Sequence, residues 1–172
     1  PVILDPPPSN LLELLTPNSY QKGGWVLHML RGRVGSEVFW DGLREYYNRF
    51  RDGNASTSDF QDTMEDVSGQ DLDWFFDQWL EQPGHPVLDG EWSYDSSSGK
   101  LEISLSQTQP GFFRIPVEFG VWTSTSDVPQ PLTGEMDEAN ETFVFDLGAD
   151  DVVDVRVDPD VKLLMEATFG RR

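Results

Sequence analysis

The apolar residues of this chain change their period once, at Pro83-Gly84-His85-Pro86. Before that point they recur every three or four residues, as on one face of a helix. After it they recur every two, as on one face of a strand. Helices that come first and strands that come afterwards, without alternation, define the α+β class. The expected architecture is an N-terminal α-helical subdomain over residues 1–84 followed by a small antiparallel β-sandwich over residues 85–172.

In the first half, a proline-rich lead precedes Asn18 and Ser19, either of which can cap a helix. Trp25, Val26, Met29, Leu30 and Val34 follow at helical spacing, and Gly35 ends the run. Ser36 opens a second helix on which Phe39, Leu43, Tyr46, Tyr47 and Phe50 form one apolar stripe, closed by Arg51-Asp52-Gly53-Asn54. Ser58 and Gln61 have the spacing of a capping box, which predicts a third helix over 59–68 with Gly69 as its left-handed terminator. Asp71 then caps a fourth. Its segment, Leu72 to Leu80, is so rich in aromatic residues that it must pack on more than one face, with Trp74, Phe75, Phe76 and Trp79 as core.

In the second half, Leu101, Ile103 and Leu105 alternate with polar residues after a Ser96-Ser97-Ser98-Gly99 turn, which joins them to a strand over 91–95. Phe113, Ile115, Val117, Phe119 and Val121 give the cleanest alternation, and Pro116 among them predicts an edge or a bulge. Segments 142–146, 152–157 and 162–168 supply further strands, for a sandwich of six or seven.

Charge removes several classes of function. With 31 acidic residues against 12 basic, the net charge of −19 repels a phosphate backbone and disfavours both nucleic acid and anionic membranes as partners. Six Trp, eleven Phe and four Tyr are more than a solvated acidic tail carries, so the charge belongs to the surface of a folded body. Two readings of that surface stand: adaptation to high salt, or a countercharge elsewhere in a longer polypeptide. The absence of cysteine excludes disulfides, thiolate metal sites and cysteine nucleophiles, and leaves the redox compartment open. No apolar run reaches the roughly 20 residues that span a bilayer. The opening residues, Pro1 to Pro8, resemble neither a signal peptide nor an initiator end, so the chain is expected to be a piece of a larger protein. Nothing in the sequence fixes a compartment.

The residues that could carry chemistry are sparse. There are two histidines, His28 and His85, and neither lies in an H-E-x-x-H arrangement, which needs two imidazoles four residues apart on one helical face with a Glu beside them. His28 falls in an apolar helix and is expected to be packed and hydrogen-bonded. His85, between Gly84 and Pro86, reads as a linker residue. Asp150, Asp151, Asp154, Asp158 and Asp160 suggest calcium only weakly, because the glycine and terminal Glu of a calcium loop are missing. Solvated strand ends and turns explain them better. There is no G-x-S-x-G, no phosphate-cradling glycine loop and no Ser-His-Asp set. On spacing alone, the chain has no complete active site.

The run Ser19-Tyr20-Gln21-Lys22-Gly23-Gly24-Trp25-Val26-Leu27-His28-Met29-Leu30 resembles the Y-x-K-G helix of the zinc aminopeptidases related to membrane alanyl aminopeptidase and leukotriene hydrolase. The resemblance continues through Phe39-Trp40, Leu43, Tyr46-Tyr47, Ser58-Asp59-Phe60, Ser68-Gly69, Leu72, Phe75-Phe76 and Gln78-Trp79 to Pro83-Gly84-His85-Pro86. It extends more loosely to Asp158-Pro159-Asp160. In that family a thermolysin-like part bears H-E-x-x-H and a further Glu ligand, and is followed by helices and then a small sandwich. The resemblance therefore implies that residues 1–84 are the helical C-terminal part of a gluzincin-type catalytic domain and that 85–172 are the following sandwich.

Both zinc histidines, the ligand Glu, the general-base Glu and the G-x-M-E-N loop of the family are missing from this sequence. The resemblance thus implies zinc as the cofactor of the intact enzyme and none in this chain. It also implies peptide as substrate, the zinc-bearing part of the same polypeptide as partner, and no hydrolysis by the chain unaided. One catalytic role carries over. Tyr20 matches the tyrosine whose phenol hydrogen-bonds the oxyanion formed when water attacks the peptide carbonyl, a task suited to a group that is a neutral donor at pH 7. Lys22 and Gly23 read structurally. Gly23 and Gly24 each cost about 1 kcal/mol of helix propensity, explicable if the absent zinc-bearing helix approaches closely. The competing readings are a non-catalytic β-sandwich binding or scaffold protein and an inactive homologue that has lost its metal.

Overall fold

The computed structural model describes Asn10, residues 18–148 and residues 151–172. The proline-rich lead and Asp150 lie outside the described residues. The chain divides into two compact units between Gly84 and His85, where the sequence changes period.

In the helical unit a π-helical turn, Asn18–Lys22, runs into α1 (Gly23–Val34). Lys22, the residue before α1, makes no side-chain cap. Val26, Met29, Leu30 and Val34 are buried, and Gly35 closes the helix at φ +88° with its N–H donating to the Arg31 carbonyl at 3.0 Å. On α2 (Ser36–Phe50) the buried side centres on Phe39 and Gly42, with Leu43, Tyr46 and Phe50 half-buried. Tyr47 leaves the expected stripe. It lies about 80° round the helix from Phe39, on the far side from Gly42, and is 65% exposed. A Cβ at Gly42 would collide with Met64 Sδ, so this glycine sets how closely α2 and α3 approach.

The cap of α3 (Thr57–Ser68) is Ser56, not Ser58. Ser56 and Asp59 have the same spacing as Ser58 and Gln61, but they complete both halves of the box. The Asp59 N–H donates to Ser56 Oγ at 3.2 Å and the Ser56 N–H to the Asp59 carboxylate at 2.7 Å. Gln61 instead donates to Asp73 Oδ1 at 2.5 Å. Ser56→Ala is expected to cost about 1 kcal/mol, read as a lower thermal midpoint for loss of helical circular dichroism. Gly69 ends α3 at φ +65°. The last helix, α4 (Asp73–Phe76), continues as a second π-turn over Asp77–Glu81. Its N-cap is Leu72, without a side-chain cap, rather than the expected Asp71, whose carboxylate accepts the Asp73 N–H at 3.1 Å from one residue earlier. Leu72, Phe75, Phe76, Trp79 and Leu80 are all buried. Ring contacts from Tyr46 to Phe60 (5.1 Å between centroids) and from Phe60 to Phe76 (6.1 Å) tie α2, α3 and α4 into one core.

The second unit contains β1 (Val87–Asp95), β2 (Lys100–Gln107), β3 (Ile115–Thr123), β4 (Ser126–Met136), β5 (Asn140–Asp146), β6 (Val152–Val157) and β7 (Glu166–Arg171). They form sheets of order β5-β2-β1-β7 and β4-β3-β6. Leu101, Ile103 and Leu105 of one sheet and Ile115, Val117, Phe119 and Val121 of the other are buried, and the Phe119 and Phe143 rings meet at 5.4 Å. The α+β class with strand-on-strand packing is therefore present. The β1–β2 turn needs Gly99, at φ +68°, where a Cβ would strike the Gly148 carbonyl. Asp95 accepts hydrogen bonds from Ser98 and Ser97 there, which hold its carboxyl pKa down to about 2.

Three strand expectations change. β3 is central, not an edge, yet Pro116 is tolerated because β6 pairs with β3 only from Phe119 onward, leaving one side of Pro116 without a neighbouring strand. β4 has no counterpart among the expected strands. Pro129, Pro131 and Gly134 break its pattern, and it pairs on one side only, as an edge. The last strand starts at Glu166 rather than Lys162, because the Asp158 carboxylate accepts the Lys162 and Leu163 N–H groups at 2.8 and 2.9 Å and holds them in a turn. That strand, β7, lies parallel to β1, so the sandwich is not wholly antiparallel.

Candidate functional site

Tyr20 sits in the π-turn that leads into α1, and its side chain is 65% exposed. Lys22, two residues on, is the reverse: it is 8% exposed, and its ammonium donates to the Gln82 carbonyl at 3.2 Å and to the Gly84 carbonyl at 3.0 Å. A two-residue step turns a helix by roughly 160–200°, so an inward Lys22 puts Tyr20 on the outward side. Burial lowers the Lys22 pKa from its ordinary value, as expected where desolvation penalises the charged form. Gln82 is the C-cap of the π-turn Asp77–Glu81, at a helix end where backbone oxygens lack intrahelical partners, and Gly84 lies two residues beyond it. Gly84 itself adopts φ +85°.

The exposed side of α1 continues from Tyr20 through Gly24, Leu27 and Arg31. A Cβ on Gly23 or Gly24 would meet nothing within 4 Å. No packing among the described residues therefore requires a glycine at either position. His28 is not packed as expected. It is exposed, with its ring edge-on to Trp25 at 5.5 Å, because the buried face of α1 runs through Val26, Met29, Leu30 and Val34 instead. His85 pairs with Glu166 at 3.0 Å within the second unit.

These two histidines belong to different units, and neither stands in a cluster of metal ligands among the described residues. Among the described residues one group of acidic side chains is close enough to share a cation: Glu65, Asp71 and Asp73. It contains no imidazole. Its carboxylates already accept the Leu72 N–H at 2.7 Å, the Asp73 N–H and the Gln61 side chain. Such a set does not fit the nitrogen-rich coordination of a catalytic zinc. Three of the aspartates singled out in the second unit are likewise engaged separately: Asp154 with Arg156, Asp160 with Lys162, and Asp158 in its turn. They are spread over strand ends rather than gathered on one ion. No helix among the described residues is long and apolar enough to cross a membrane.

Sequence reasoning singles out Tyr20 but does not find the anchoring of Lys22. The only signal was a lysine two residues after that tyrosine, because its acceptors are backbone carbonyls that no residue identity marks.

Residues 6–79 match the model of the peptidase family M1 domain. Aminopeptidase N of Lactococcus lactis subsp. lactis is 33% identical over 119 residues, covering 67% of this chain and 14% of that protein. Probable aminopeptidase 1 of Sulfurisphaera tokodaii is 36% identical over 116 residues, covering 66% of this chain and 15% of its own length. This chain thus spans about one seventh of these relatives. The crystal structure of Legionella pneumophila aminopeptidase A in complex with aspartic acid has the same fold over 94% of this chain and 19% of its own, at a TM-score of 0.80 and 17% identity. The segment that carries Tyr20, Lys22 and the aromatic core is the segment matched by the family domain, and this chain belongs to peptidase family M1.

Proposed function

We propose that this chain is the C-terminal helical part of the catalytic domain, with the following sandwich, of a zinc aminopeptidase that releases N-terminal residues from peptides, and that Tyr20 is its oxyanion donor. The observation that carries this reading is the contrast within one turn: a phenol 65% exposed, beside a lysine buried and held by two carbonyls. An outward donor on an anchored turn is what electrostatic preorganisation requires.

When water adds to a peptide carbonyl, negative charge grows on the oxygen. A donor already aimed at that position stabilises the charge without reorganising. One such donor contributes on the order of 10²–10³ in rate. The phenol donates throughout and is not consumed, so Tyr20 needs no proton transfer of its own. The zinc and the general base belong to residues of the same polypeptide outside this chain, because the donors described above do not suit that metal. The unpacked glycines Gly23 and Gly24 and the exposed His28 fit a surface that is covered by that part of the polypeptide.

The test compares this chain with a polypeptide extended upstream to include the rest of the family domain. The extended protein is expected to hydrolyse aminoacyl-anilides. The chain by itself is expected to be inactive and to hold no stoichiometric zinc on elemental analysis after dialysis. An extended protein that folds, lacks zinc ligands and cleaves none of a panel of aminoacyl-anilides would favour the scaffold reading instead.

A further inference from the structure

We propose that Lys22 is a positioning residue for Tyr20: its buried ammonium, held by the Gln82 and Gly84 carbonyls, fixes the turn Asn18–Lys22 and so the direction of the phenol. This inference rests on the catalytic reading of Tyr20.

A buried ammonium is costly unless it is paired and hydrogen-bonded. No carboxylate pairs with Lys22 among the described residues, and its two acceptors are neutral carbonyls. A residue needed only to fill this space would serve better as Met or Leu, which bury the same stem without desolvating a charge. The ammonium has a different use here. It satisfies the C-cap oxygen of the last helical segment, Gln82, where a cation also interacts favourably with the helix dipole, and the Gly84 oxygen just beyond it.

The tie spans 60 residues to Gln82 and 62 to Gly84, and the segment it grips carries Trp79 and Leu80, both buried. The turn Asn18–Lys22 is thereby referenced to the aromatic core. Such a turn needs support. Helix ends open more readily than helix centres, and π-turns are rare, weakly populated elements found mostly at functional sites. With Lys22 fixed inward, the opposite side of the turn is fixed outward, and that side bears Tyr20. Loss of the tie frees the turn. Small displacements of a catalytic donor then reduce turnover far more than they reduce substrate binding.

The test is a double-mutant cycle in the full-length polypeptide. Lys22→Met is expected to lower kcat about tenfold with less than a twofold change in KM. Added to Tyr20→Phe, it is expected to lower kcat no further, because the two residues act through one hydroxyl. If Lys22→Met does not fold, Lys22→Arg takes its place in the cycle: it keeps the charge, displaces the turn and is expected to show the same non-additivity. A loss that multiplies in full onto Tyr20→Phe overturns the positioning role and leaves the catalytic role of Tyr20 standing. A Tyr20→Phe variant with unchanged kcat overturns both.

Discussion

Trp79→Ala is expected to destabilise the helical unit by about 3–5 kcal/mol, the range for truncating a large buried aromatic. Trp79 is 2% exposed and lies against Phe75, with centroids 6.5 Å apart, in the segment that also buries Leu72, Phe76 and Leu80. Removing an indole from a buried position leaves a cavity to the extent that the surroundings do not collapse into it. In a unit of this size each kcal/mol shifts the thermal midpoint by roughly 4–8 °C. The helical signal at 222 nm should therefore melt more than about 10 °C earlier. Because the chain forms two compact units, the sandwich should keep its own transition, and the measurement separates them. A loss below about 1 kcal/mol would mean that Trp79 is not the keystone that its burial indicates. The consequence reaches beyond stability, since the carbonyls that hold Lys22 follow directly on this segment.

Much of the fold is legible in the amino-acid order, and the exceptions have physical causes. β2 and β3 declare themselves because one face of each is buried along its whole length, which forces strict alternation over Leu101–Leu105 and Ile115–Val121. β4 is hidden because it is an edge strand, and only Met136 along it is buried, so no apolar period develops. The displaced start of β7 has a different origin. Leu163, Leu164 and Met165 look like strand residues, but the Asp158 carboxylate captures two of the backbone N–H groups that a ladder would need. The cap of α3 lies two residues before the expected Ser58, because Ser56 and Ser58 offer the same spacing. Only the chemistry of the third position separates them: Asp59 returns the hydrogen bond, and Gln61 is engaged by Asp73.

The site is legible to a smaller degree. Tyr20 is marked by its motif, yet its exposure depends on which side of the turn faces the core, and Lys22 decides that. A lysine is ordinarily read as a solvated residue. What makes this one structural is a pair of carbonyls some sixty residues later, and carbonyls occur at every position of a chain. His28 failed in the opposite direction. Its neighbours on the helix are apolar, but the spacing of Val26, Met29, Leu30 and Val34 turns the buried face away from it.

The role proposed for the phenolic hydroxyl of Tyr20 is to stabilise charge that develops only in the transition state. Tyr20→Phe removes that oxygen and keeps the ring. Because the side chain is largely exposed within this chain, the substitution leaves no cavity in the helical core. In the full-length polypeptide Tyr20→Phe is expected to lower kcat by on the order of 10²-fold with KM little changed, the signature of an interaction made chiefly in the transition state. An unchanged kcat, or a loss confined to KM, would contradict it.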